Sequence, residues 1–253
     1  MPGATAPVQR LSGHRRASTL VLTCEHASNA VPADYQSLFR HAADVLNGHR
    51  GWDIGAARLA RHLADRLHAP LFQGQYSRLL IDLNRSLGHP ALFSIYTRHL
   101  DRSQRNRLVQ GCWRPWRTQV ETLIEETLAA GRTVVHVSVH SFTPELEGET
   151  RLADIGLLYD PRRQSERQFA QRWQHALRVR DPSLNVRRNY PYRGRADGFT
   201  TALRRRFPER YLGLELENNQ AWIGLDHAEC GRRFEDIGAT LGDLEDWSIG
   251  GLD

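Results

Sequence analysis

Three short apolar runs limit what this chain can become more than any other feature: Ser18 to Cys24 (STLVLTC), Thr133 to Val139 (TVVHVSV) and Tyr211 to Glu217 (YLGLELE). Each is too short for a buried helix and rich in residues that suit a pleated surface, so each is expected to be a buried strand. Each also stops on polar side chains: Glu25-His26, His140-Ser141, and Glu217-Asn218-Asn219. Further strands are expected at Leu79 to Leu83, which runs into Asp82-Leu83-Asn84-Arg85, at Ile155 to Tyr159, and near 184–188.

Helical spacing fills the intervals. Ile54, Ala57, Leu59, Ala60, Leu63, Ala64 and Leu67 recur on one face of a helix expected over about 53–68. Others are expected over about 33–46, 163–179 and 227–243. An amphipathic stretch from Asp101 to about Ala130 contains Pro115, expected to kink or divide it, and ends at Gly131. Strands alternating with helices imply an α/β architecture with a largely parallel or mixed central sheet flanked by helices. Nothing after a polar leader over residues 1–17 reads as an interdomain linker, so residues 18–253 are expected to form one domain.

Composition excludes several classes of function. The 253 residues are 40% hydrophobic, enough for a core, and no apolar run approaches the roughly 20 residues that span a bilayer. The first residues lack the apolar segment of a secretory signal, and three cysteines without a CxxC pair suit a reducing cytosol, so a cytoplasmic location is expected. The 34 basic residues, all arginine, outnumber 29 acidic ones for a net charge of +5. That excess is spread along the chain without a basic tail, so nucleic acid is not the expected partner.

In open α/β sheets, ligands bind beyond the carboxyl ends of the strands, and there the unusual residues gather. His26 and His140 close two apolar strands, and imidazole is a common zinc ligand. A catalytic zinc takes three protein ligands and leaves one position open, so a third ligand is expected. His136 would lie roughly 13 Å from His140 along an extended strand, so it reads as a core or edge histidine. Asp53 serves equally well on local grounds as a ligand or as the N-cap of the following helix. Glu25 can join the site only if the strand has already turned, because neighbouring strand residues point to opposite faces.

Glu215 and Glu217 share one face of their strand, where carboxylates are costly unless paired or used. Glu217, nearer the carboxyl end, is the better general base for activating water. Arg78 and Arg85 bracket the Leu79 to Leu83 run; they suit a substrate carboxylate, or one of them pairs with Asp82. Cys24 ends a buried strand and reads as structural. The loop from Asn189 to Gly198, with Tyr190, Tyr192, Arg193 and Arg195, is either an ordinary surface loop or a cover whose Arg193 reads a distal carboxylate.

Taken in order, Glu25-His26-Ala27-Ser28-Asn29, His49-Arg50-Gly51-Trp52-Asp53, the run from Ser77 to Arg85 (SRLLIDLNR), His140-Ser141 and the run from Leu214 to Gln220 (LELENNQ) resemble the N-formylglutamate amidohydrolase family over about residues 18 to 222. The resemblance implies a zinc-dependent hydrolase with a three-layer phosphorylase/hydrolase-like fold, related to zinc carboxypeptidases and aspartoacylases. It implies that Asn84 and Arg85 hold the substrate carboxylate and that Arg78 polarises the scissile carbonyl. Those relatives take two ligands from an HxxE unit, whereas His26 here is followed three residues later by Asn29. The third ligand is therefore open among Asp53, Glu25 and Asn29, with Asp53 preferred.

The expectation is an amidohydrolase that uses zinc, or another divalent metal, on His26, Asp53 and His140, with Glu217 as base. Its partner would be a small acidic N-acyl amino acid, with N-formyl-L-glutamate foremost. A peptidase or aspartoacylase-like deacylase is the alternative enzyme, and a non-catalytic or nucleic-acid-associated protein on the same scaffold is the alternative class.

Overall fold

The computed structural model describes residues 18–244; the polar leader expected over residues 1–17 lies outside them. In chain order the elements are β1 (Ser18–Cys24), α1 (Ala43–Asn47), α2 (Ala56–Leu67), β2 (Leu71–Gln73), α3 (Arg102–Leu108), α4 (Arg114–Ala129), β3 (Thr133–Phe142), β4 (Glu145–Leu146), β5 (Glu149–Thr150), β6 (Ile155–Leu158), α5 (Gln164–Arg180), β7 (Val186–Arg188), α6 (Phe199–Arg206), β8 (Tyr211–Asn219) and α7 (His227–Gly242). Six strands form one sheet in the order β2-β1-β3-β8-β6-β7, and β4 pairs with β5 in a separate hairpin. Every pairing in the large sheet is parallel except β6 with β8. The architecture is thus α/β, with helices on both faces of a mixed, mostly parallel sheet.

Alternation along the central strands creates two unlike faces. Leu20, Leu22 and Cys24 of β1, Val135, Val137 and Val139 of β3, and Leu212, Leu214 and Leu216 of β8 pack in one apolar core with α2, α5 and α7. On the other face, where Val21, Val134 and Tyr211 meet Trp116, Val120 and Ile124 of α4 and Phe199 and Leu203 of α6, the same strands also carry polar residues. Period-two alternation puts Thr23, His136, Ser138, His140, Glu215 and Glu217 on that face, and the strand register sets Thr23 beside Ser138, Ser138 beside Glu215, and His140 beside Glu217.

The segment Leu79 to Leu83 is not a strand. It is a buried turn in which Leu80 N donates to Ser77 O and Asp82 N donates to Leu92 O, and β2 occupies the place beside β1. Its leucines and isoleucine are apolar because they are buried, and periodicity alone cannot separate a buried strand from a buried turn. The helix expected over 33–46 is a 3-10 turn, Ala33–Phe39, followed by α1. The one expected from 53 begins at Ala56, after Gly55 takes a φ of 87°. The 101–130 stretch is divided by a π-helical turn at Val109–Trp113, and Pro115 sits in the first turn of α4, where proline is tolerated. Strand β2, the β4–β5 hairpin and α6 were not expected from the sequence.

Candidate metal centre

The carboxyl end of β1 turns at once, so Glu25 and His26 both point inward and both are buried. Asp53 lies between α1 and α2, and its N–H donates to His26 O at 3.0 Å. The preceding turn needs Gly51, because a Cβ there would collide with the Leu46 carbonyl. Asp53 does not cap α2, whose N-cap is Gly55; its carboxylate turns to the two histidines instead.

Asp53 Oδ2 lies 2.8 Å from His140 Nδ1 and 3.3 Å from His26 Nδ1. One ligand atom from each of the three residues falls within 4.8 Å of the other two, and all three are buried. The outer nitrogens are also held: His26 Nε2 is 2.8 Å from Asp82 Oδ1, and His140 Nε2 is 2.8 Å from Ser138 Oγ and 3.3 Å from Glu25 Oε2. Arg78 spans the front, donating to Asp53 Oδ1 at 3.2 Å and Asp82 Oδ2 at 3.3 Å.

Charge in this pocket is strongly coupled. Burial alone would raise the Asp53 carboxyl, but His26, His140 and Arg78 hold it well below its ordinary value. The same opposition acts on Glu25, lowered to about 2 mainly by His140 and Ser138, and on Asp82, lowered by His26 and Arg78. Burial would lower His140, yet Asp53 and Glu25 raise it well above the usual imidazole value. Glu217 differs: burial, with Asp53 and Glu215 nearby, pushes it up to about 8. Its Oε2 is buried with no hydrogen-bond partner among the described residues.

These residues suit a divalent metal. Two imidazoles and a carboxylate are a donor set that zinc accepts, three protein ligands leave a fourth position, and the far nitrogens are backed by Asp82 behind His26 and by Ser138, itself bonded to Glu25, behind His140. The orphaned oxygen of Glu217 beside His140 is a buried polar atom that a fold without a ligand would not be expected to leave unmatched.

The cleft in front has a volume of about 250 Å³ and is lined by Asp53, Arg78, Ser141 and Phe142, with His49, Arg50, Tyr192 and Gln220 on its walls. Asn84 Oδ1 accepts from Phe199 N–H at 2.6 Å, so it fixes the start of α6. Arg85 Nη1 donates to Asp197 O at 2.5 Å, while its buried Nε has no partner among the described residues. Glu215 accepts from Thr200 Oγ1, and Asn29 Nδ2 donates to Asn47 Oδ1 at 2.9 Å. Arg193 is exposed. Cys24 is buried in the apolar core. His49, Arg50 and Gln220, which the sequence offered only within the family-like blocks and without a role, stand on the cleft walls, and the backing role of Asp82, paired there only with an arginine, was missed.

A family model described as N-formylglutamate amidohydrolase matches residues 18–223. The gene product Atu2144 from Agrobacterium tumefaciens has a crystal structure that is 33% identical, with a TM-score of 0.75 and coverage of 91% of this chain and 93% of that one. The crystal structure of N-formylglutamate amidohydrolase from Ralstonia eutropha JMP134 shares the fold at 19% identity, with a TM-score of 0.71 and coverage of 95% and 96%. No curated protein matches the sequence.

Proposed function

Because the chain belongs to the N-formylglutamate amidohydrolase family, we propose that it hydrolyses the amide of a small acidic N-acyl amino acid, N-formyl-L-glutamate foremost, to the free amino acid and formate. The convergence of His26 Nδ1, His140 Nδ1 and Asp53 Oδ2 beside the orphaned carboxyl of Glu217 carries this reading. Those three side chains would hold zinc. When bound, the metal supplies Lewis acidity that makes water a stronger nucleophile and polarises the amide carbonyl.

Glu217 is the general base. It takes a proton from the attacking water as the C–O bond forms, and gives it to the leaving nitrogen as the tetrahedral adduct collapses and the C–N bond breaks. Burial holds the Glu217 carboxyl up to about 8, and a cation held by His26, Asp53 and His140 would favour its ionised form. Arg78, between Asp53 and the cleft, places a guanidinium where the carbonyl oxygen gains negative charge. Asn84 and Arg85, which do not line the described cleft, would hold the substrate carboxylate only from beside it, the free donor being the buried Nε of Arg85. Arg193, exposed on its loop, would meet the distal carboxylate if that loop folds over bound substrate. Three free cysteines favour a reducing compartment, the cytoplasm.

The test is to purify the protein, measure its metal content, and follow formate release from N-formyl-L-glutamate before and after chelation and zinc return. Activity lost with the metal and restored by zinc supports the reading; activity indifferent to chelation ends the metal mechanism. N-acetyl-L-aspartate and short peptides in the same assay separate deformylation from a deacylase or peptidase.

A further inference from the structure

Behind the metal centre, on the sheet face that carries its ligands, lies a line of buried polar side chains that the mechanism above does not use. Tyr211 Oη is 2.6 Å from His136 Nδ1, and His136 Nε2 is 2.9 Å from Thr23 Oγ1. Thr23 Oγ1 is in turn 2.9 Å from Glu25 Oε1, and Glu25 Oε2 meets Ser138 Oγ at 2.6 Å and His140 Nε2 at 3.3 Å. All of these residues are buried.

We propose that Tyr211, His136 and Thr23 are positioning residues that act through Glu25 to keep the His140 proton on Nε2, so that Nδ1 carries the lone pair a metal needs. The inference rests on the metal reading above.

Proton counting leaves one arrangement. An ionised carboxylate only accepts, and a hydroxyl has one proton to donate. Thr23 therefore gives its proton to Glu25 Oε1 and must accept from His136, which places the His136 proton on Nε2. His136 Nδ1 is then an acceptor, and the Tyr211 hydroxyl donates to it. Reversing the line would point lone pairs of Thr23 and Glu25 at each other. It would also leave the Tyr211 proton without an acceptor among the described residues. Unmatched buried polar atoms are costly, so the line is directional.

The end of the line matters for metal binding. Glu25, with one oxygen committed to Thr23, accepts from Ser138 Oγ with the other, so Ser138 must in turn accept from His140 Nε2 at 2.8 Å, with Glu25 Oε2 3.3 Å from the same nitrogen. An imidazole whose far N–H is held by such a hydroxyl–carboxylate pair is fixed in ring orientation and tautomer, and outer partners of this kind are typically worth about 10- to 100-fold in metal affinity. His136 thus lies four residues from His140 along its own strand yet is connected to it through β1.

The experiment reads tautomers and affinity rather than turnover. Nitrogen-15 spectra of the imidazoles in the zinc-loaded protein should show His136 neutral with its proton on Nε2 and His140 with its remaining proton on Nε2. A His136 proton on Nδ1 overturns the proposal. In competition against a chromophoric chelator, Thr23→Val should bind zinc about 10- to 100-fold more weakly, while Thr23→Ser, which keeps the hydroxyl, should stay near wild type. Thr23→Val binding zinc as tightly as wild type overturns the positioning line while leaving the metal site standing. A wild-type protein that takes up no zinc ends the metal reading and this inference together. If Thr23→Val does not fold, the wild-type His136 tautomer decides.

Discussion

Glu217 and His140 face each other as register partners on neighbouring strands, so their side chains leave the same face of the sheet side by side. One is drawn into the ligand cluster and the other is left with an unsatisfied oxygen. Replacing Glu217 with Gln keeps the shape and removes the base. Turnover of N-formyl-L-glutamate should fall by about 10²- to 10⁴-fold, with KM and bound metal little changed. Formate release at saturating substrate, paired with metal analysis, checks this; wild-type turnover would place the base elsewhere.

The same carboxyl predicts a pH dependence of stability in metal-free protein. Its pKa rises on folding from 4.5 to about 8, so the native state binds the proton more tightly than the unfolded chain. Stability from this group is full below about 4.5 and is lost as pH rises through about 8. Glu25, lowered to about 2, acts in the opposite sense and loses its contribution only in acid. Urea unfolding of the metal-free protein at about pH 5 and 8.5 should show a decline that is smaller in Glu217→Gln. An equal decline in both proteins contradicts the buried, protonated carboxyl.

Arg78 joins two carboxylates that hold the site together, its fork reaching Asp53 and Asp82 from one guanidinium. Arg78→Met should lower kcat/KM by roughly 10²- to 10³-fold, the scale of losing one donor to a developing oxyanion. Arg78→Lys should recover only part of this, because a point charge cannot span both carboxylates. Steady-state kinetics on both variants tests it, and full recovery by lysine would mean that charge alone matters.

Arg117 is buried without a carboxylate in hydrogen-bond contact among the described residues; it donates to Leu83 O and Arg85 O and lies over the rings of Trp113 and Phe199. Burial lowers its pKa to about 10 against the pull of Glu25 and other acids. Arg117→Met should destabilise the fold by about 2–3 kcal/mol, since buried carbonyls lose their donors. It should also weaken substrate binding, because the segment it braces carries Asn84 and Arg85. Urea unfolding and KM measure the two effects, and an unchanged KM would detach that segment from the substrate.

Much of the fold was legible from residue order. The runs at Ser18, Thr133 and Tyr211 are strands, as short blocks of β-branched and apolar residues that suit a pleated, buried surface are expected to be. Where burial had a different cause, as at Leu79 to Leu83, the same pattern misled. The sequence also placed His26, His140 and Glu217 at the ends of strands, because polar residues that abruptly close an apolar strand are expensive unless they have work there.

Only the packed structure could decide among residues distant in sequence. It turned Asp53 away from α2 and onto two histidines 27 and 87 positions away, and set Asp82 and Glu25 behind them. Local sequence patterns report the few residues within a helical turn or a strand's alternation. A three-ligand cluster instead depends on which strands are neighbours and in what register, and the whole core sets both. The sequence could therefore supply the kinds of ligand and their strand ends, while the pairing of β1, β3 and β8 decided which atoms meet.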